Sequence, residues 1–228
     1  MKRILTITLI FVALVLLAVW SPWLRWNIDL GALIGVTKPE SIAGLQVSSL
    51  AGELEIFLDG HSEGKVTPEN SPYFVYRVEP GEHLLTIKRT GEFADTYSDF
   101  SKLIDFITGS TVVVAYNLGP DEQFSEGHII YATKKGVESS NSKLNINVST
   151  ENFNFSIDGV PAERITGQNV STNLDLNSQH RLKISKTGYE PLEFTILPET
   201  QEDRDKIKFF DLNIDVQLML QPVEVNTI

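Results

Sequence analysis

Leu54 to Gly60 reads LEIFLDG and Phe153 to Gly159 reads FNFSIDG, and this recurrence constrains the fold more than any other feature of the chain. In both stretches apolar residues take alternate positions (Leu54, Ile56, Leu58; Phe153, Phe155, Ile157) and an Asp-Gly pair follows, the pattern of a half-buried strand entering a tight turn. The Asp-Gly pairs begin at 59 and 158, histidines follow at 83 and 180, and glycines at 91 and 188, so the copies are offset by 99, 97 and 97 residues. A shared offset across several landmarks is what a duplicated module leaves behind. The 228 residues therefore divide into two modules of ordinary size and a leader.

In the leader, Met1-Lys2-Arg3 precedes a run from Ile4 to Trp20 with no charge, and Ser21-Pro22-Trp23-Leu24 continues it to Arg25. A run of about 20 such residues crosses a hydrocarbon core. Trp20, Trp23 and Trp26 sit at its far end, where amphipathic rings favour the headgroup zone. Neither Ala18-Val19-Trp20 nor Ser21-Pro22 makes a good cleavage site, so residues 1–26 are expected to be an uncleaved transmembrane signal anchor. Lys2 and Arg3 hold its N-terminus in the cytoplasm and place the body outside. Residues 27–44, with three Gly and one Pro, read as a membrane-proximal linker.

The first module is expected over 45–135. Tyr73 to Val78, His83 to Lys88, Thr111 to Leu118 and His128 to Thr133 read as strands, while Gly64, Thr67-Pro68 and Ser71-Pro72 mark turns. Asp99 to Ile107 reads as a short amphipathic helix, with Phe100, Leu103, Ile104 and Ile107 on one face. Residues 136–143, small and polar, read as a linker, and 144–222 as the second module. Its last strand, Leu212 to Leu220, alternates clearly and follows a charged loop from Pro198 to Lys206. The predicted fold class is all-β: two tandem antiparallel β-sandwich modules after one N-terminal transmembrane helix.

Asp59-Gly60, Gly64, Thr67-Pro68, Pro80-Gly81-Glu82-His83 and Gly91 resemble a PEGA domain, and Asp158-Gly159, His180 and Gly188-Tyr189-Glu190-Pro191 resemble it in part. The four letters that name the family are replaced by Ala51-Gly52-Glu53-Leu54, and the second copy lacks Thr-Pro and Pro-Gly. The resemblance implies a small β-sandwich module of envelope and surface proteins.

Zero Cys excludes disulfides, a thiolate nucleophile and Cys-ligated metal. The formal charge of −11 disfavours nucleic acid and anionic lipid surfaces as partners. His61, His83, His128 and His180 show no metal-ligand spacing, and His83 and His180, at matching strand starts, are expected to cap or pack. The acidic groups Asp121, Glu122 and Glu126, and Glu199, Glu202, Asp203 and Asp205, do not follow calcium-loop spacing and are read as solvated charge. The tripeptides Asn147-Val148-Ser149 and Asn169-Val170-Ser171 match the glycosylation acceptor pattern, which recurs by chance.

No enzyme motif, cofactor or metal site is implied. The expected function is that of a membrane-anchored, extracytoplasmic structural or interaction module, with an envelope protein or glycan as partner. The alternatives are a carbohydrate-binding surface module and a hydrolase using dispersed carboxylates. Phe93, Tyr97 and Phe100, in a segment that looks like an insertion relative to the second copy, are the candidate ligand-binding residues.

Overall fold

The computed structural model describes residues 42–161 and 164–221, so the expected anchor at 1–26 and all but the end of the linker at 27–44 lie outside the described residues. Fifteen strands run in chain order: β1 (Ala43–Ser49), β2 (Leu54–Leu58), β3 (His61–Val66), β4 (Tyr73–Val78), β5 (Gly81–Arg89), β6 (Phe100–Phe106), β7 (Thr111–Asn117) and β8 (Glu126–Lys134), then β9 (Asn141–Val148), β10 (Asn154–Ile157), β11 (Val160–Pro161), β12 (Asn169–Asp175), β13 (His180–Ser185), β14 (Leu192–Ile196) and β15 (Phe210–Gln217). Among the described residues one short α-helix, α1 (Gln201–Lys206), precedes β15. The described residues are all-β, as their alternation predicts.

Seven strands form one sheet in the order β12-β9-β15-β8-β7-β1-β4, and two four-stranded sheets have the orders β3-β2-β5-β6 and β11-β10-β13-β14. Read outward from β8, the large sheet is the same in both directions: β7, β1, β4 on one side and β15, β9, β12 on the other. The strand order is thus symmetric about β8. Strand β8 is antiparallel to both β7 and β15, and each copy closes its own part of the sheet with a parallel pair, β1 with β7 and β9 with β15. The antiparallel expectation is corrected at those two pairs. A parallel neighbour needs a long connection, and here the whole small sheet of each copy intervenes.

Two apolar cores result. Leu45, Val47, Val112, Val114 and Ile129 of the large sheet meet Leu54, Ile56, Leu85, Ile87 and Ile104 of one small sheet. Leu144, Ile146, Leu212 and Ile214 meet Phe155, Leu182, Ile184 and Ile196 of the other. Side chains on one strand point alternately to opposite faces, whereas residues paired across strands share a face. On β8, Ile129 belongs to the first core and Ile130 packs on the second. The two small sheets therefore cover opposite faces of the large one. Each hangs its last strand over β8: Lys102 of β6 lies over the Tyr131 ring at 5.7 Å, and Phe194 of β14 stacks on His128 at 3.9 Å.

The Asp-Gly landmarks have a physical explanation. Asp59 and Gly60 have φ of 50° and 82°, and Asp158 and Gly159 have 52° and 74°, the left-handed pair that a two-residue hairpin turn requires. Each aspartate is then pinned from the next strand. Asp59 Oδ2 lies 2.6 Å from His83 Nδ1 and its Oδ1 accepts from Leu84 N at 2.8 Å; Asp158 repeats this with His180 at 2.7 Å and Arg181 N at 2.8 Å. His83 Nε2 sits 2.8 Å from the Glu79 carbonyl, which can only accept, so the ring serves two acceptors when it is protonated. The hydrogen bond to Asp59 raises the His83 pKa, and the same bond, with that from Leu84, lowers the Asp59 pKa.

Several sequence expectations need correction. Phe100–Phe106 is strand β6, not a helix: Ile104 and Phe106 are buried whereas Leu103 is 57% exposed, which is a period of two. Because β6 occupies the place of β14, the first core needs it, and the extra length in the first copy shrinks to the turn before it. Strand β3 runs through the expected turn region; its Gly64 has φ of 148°, and a Cβ there would lie 2.4 Å from the Tyr73 hydroxyl. Strand β9 starts inside the expected 136–143 linker, and Lys135 N and Ser139 N bond to the carbonyls of Phe209 and Lys208. The charged loop holds α1, capped by Thr200, with Asp203 and Asp205 paired to Lys206 and Lys208 at 2.6 and 2.8 Å.

Candidate functional site

The three aromatic candidates are not brought together. Phe93 is 66% exposed at φ 62°, Tyr97 lies under the Arg89 guanidinium at 4.7 Å, and Phe100 packs at the margin of the first core with its ring 4.5 Å from Tyr116. Phe100 also lines a recess of about 180 Å³ with Ser98, Asp99, Tyr116 and Glu122.

A larger depression arises from the opposed small sheets. Each covers one half of the large sheet and leaves the other half of that face open. Val47, Val114 and Ile129 pair in a row that continues through Asp215, Asn147 and Asn169. The row is buried and apolar beneath the first small sheet and becomes polar where it emerges. Two residues along, the parallel row is Tyr131, Asn213, Asn145 and Ser171. Together they form an open groove of about 370 Å³, floored by β12, β9, β15 and β8. The overhanging β6 walls it with Lys102, whose Nζ lies 2.5 Å from Asp215 Oδ2.

Hydrogen bonds tie the carboxamides into ladders. Ser171 Oγ donates to Asn145 Oδ1 at 2.9 Å, Asn145 Nδ2 to Asn213 Oδ1 at 3.0 Å, and Asn213 Nδ2 to Thr133 Oγ1 at 3.2 Å. In the next row Asn147 Nδ2 donates to Asp215 Oδ1 at 3.2 Å. A carboxamide has two N–H donors and two acceptor lone pairs. After these bonds Asn145 and Asn147 each keep one N–H and at least one lone pair directed by a fixed side chain. Burial, then the Asp215 charge, pushes the Tyr131 phenol up to about 12, so it is a neutral hydroxyl at the base of the wall. Asp215 is neutralised by Lys102. The groove is thus an uncharged surface of amides and hydroxyls on a strongly acidic chain.

Comparison with known families finds no match, and no curated protein matches. Among solved structures the chain is similar to the Bacillus anthracis TIE protein, at 15% identity over 79% of this chain and 34% of that one, with a TM-score of 0.26. It is also similar to a beta-glucuronidase of Parabacteroides merdae, at 10% identity over 67% of this chain and 23% of that one, with a TM-score of 0.22. The chain spans well under half the length of either, and likenesses this slight do not bear on what it binds.

The internal copy is more informative. By pairing register, Val113 and Ala115 of β7 stand where Asn213 and Asp215 stand in β15, and Gln46 and Ser48 stand where Asn145 and Asn147 do. The frame therefore tolerates apolar residues on β7 where the second copy has Asn and Asp. Asn and Asp are depleted in strands, on a scale spanning about 1 kcal/mol per position. Asp215 on β15 returns an ion pair to Lys102 of β6, whereas Asn145 and Asn147 on central strand β9 bury no apolar surface in return. The sequence holds a signal for this face: Leu144-Asn145-Ile146-Asn147-Val148 and Leu212-Asn213-Ile214-Asp215-Val216 are near copies that turn out to pair in register. Among the described residues no three His, Asp or Glu side chains converge so as to hold a metal ion.

Proposed function

We propose that the chain is a membrane-anchored, extracytoplasmic envelope protein that works by binding, as a structural or interaction module, and not by catalysis. The uncharged apolar leader behind Lys2-Arg3 supports the anchor and its orientation, and the spaced Asp-Gly, His and Gly landmarks support two PEGA-like β-sandwich modules joined through β8. One observation carries the binding reading: a groove of ordered polar side chains on central strands, where on β15 Asn213 and Asp215 stand in place of the Val113 and Ala115 of the other copy. Surface residues that lower strand propensity without packing anything are better explained by a ligand than by folding.

The test uses the full chain in membranes. It should resist carbonate washing and retain the residues from Met1 to Trp20, and immobilised in detergent it should retain envelope material. Asn147→Val with Asn213→Val should lower that retention at least tenfold without lowering the melting temperature. A mature N-terminus between Pro22 and Leu33 would end the anchor, and unchanged retention by the double variant would end the assignment of binding to this groove.

A further inference from the structure

Resting on that reading, we infer that the groove takes a neutral, hydroxyl-rich chain, a glycan without acidic substituents. Charge complementarity selects it. Asp215, the one carboxylate among the residues lining the groove, is matched by Lys102 at 2.5 Å, so the floor has no net charge although the chain carries −11. An anionic ligand gains nothing from a lysine already paired and meets the repulsion of the acidic chain; a cationic one finds its carboxylate occupied. A neutral polyol meets neither cost.

Hydrogen-bond stoichiometry points the same way. A hydroxyl donates once and accepts twice, and a carboxamide donates and accepts side by side, so vicinal hydroxyls can be met by one Asn in both senses. Asn147 and Asn169 face each other across β9 and β12, and Asn145 and Ser171 do so in the next row of the same face. Adjacent strands lie about 4.8 Å apart and alternate residues along a strand about 6.6 Å apart, so the amides form a grid and not a single point. A grid suits a repeating chain laid across strands. Its internal bonds, from Ser171 through Asn145 and Asn213 to Thr133, fix the side chains before a ligand arrives, which lowers the ordering cost of binding. The volume of about 370 Å³ falls within the range of small-ligand clefts, and the groove is open toward the β12 edge, where Asn169 and Ser171 are exposed.

The experiment places the full chain in phosphatidylcholine nanodiscs, which carry no sugar headgroup, and titrates it calorimetrically with maltohexaose, cellohexaose, mannohexaose and chitohexaose to millimolar concentration. Saturable binding of at least one probe is expected, weakened at least tenfold by Asn147→Val with Asn213→Val; the second change copies Val113, which the frame already accepts at the β7 equivalent of Asn213. Asn169→Val, on the exposed edge strand and outside the ladder from Ser171 to Thr133, supplies an independent variant should the double one melt lower. No saturable binding by any probe, or equal binding by wild type and both variants, overturns the inference. If the probes fail while retention of envelope material still depends on Asn147 and Asn213, the glycan is wrong and the binding module stands; if both fail, both fall.

Discussion

Lowering the pH below 6.5 should loosen the joint between the second small sheet and β8 through His128. The ring is 8% exposed, stacked on Phe194 with an interplanar angle of 10°, and its Nδ1 is buried without a hydrogen-bond partner among the described residues. Burial pushes its pKa down from 6.5 to about 4. The unfolded chain takes up the proton near 6.5 while the folded chain refuses it until about 4. The stability is therefore intact above 6.5 and is lost as the pH falls through that interval. At about 1.4 kcal/mol per unit the loss reaches roughly 2 kcal/mol by pH 5 and roughly 3 kcal/mol by pH 4. Urea unfolding of a fragment from Ser41 to Ile228, which clusters as one compact unit, measures it at pH 7.5, 6 and 5 for wild type and His128→Phe. The other titrating groups are common to both proteins, so the difference isolates His128. Wild type should lose about 2 kcal/mol more than the variant between pH 7.5 and 5. Parallel pH profiles would refute the reasoning.

Other perturbations have equally definite outcomes. His83→Ala should lower the melting temperature more at pH 6 than at pH 9, because a raised histidine pKa contributes fully below 6.5 and fades as pH rises through the folded value; equal drops would contradict the Asp59 latch. Gly64→Ala, which forces a side chain into φ 148° and against the Tyr73 hydroxyl, should cost about 1–3 kcal/mol in urea unfolding. Tyr97→Ala should cost about 0.5–1 kcal/mol through its lost contact with Arg89 and leave retention of envelope material unchanged.

What could be read from the residues follows from where each strand lies. The Asp-Gly turns, the paired histidines and β5, β7 and β15 were legible because each couples strong alternation to a turn residue with a single role. The edge strands β3 and β12 were not. In β3 only Val66 is buried and in β12 only Leu174, so neither shows an alternating apolar face. Strand β6 was ambiguous in principle: over seven residues Phe100, Leu103 and Ile104 fit a helical face as well as Phe100, Ile104 and Phe106 fit a strand, and the pairing with β5 decides it. The role of β8 was present but unread, since His128-Ile129-Ile130-Tyr131-Ala132 is a continuous run, the mark of a strand covered on both faces. The groove was hidden for a related reason. Its residues are dispersed over 131–215 and only the strand order assembles them, whereas Phe93, Tyr97 and Phe100 are adjacent in sequence yet point to different surroundings.

Site-specific photo-crosslinking from the intact, membrane-inserted chain tests the central claim most directly, with the probe placed in turn at Asn147 in the groove and at Phe93 on the exposed turn. Both side chains are exposed, so both positions accept the probe without disturbing a core. The account predicts adducts with envelope material from Asn147 and none above background from Phe93. Adducts from Phe93 with none from Asn147 would contradict it.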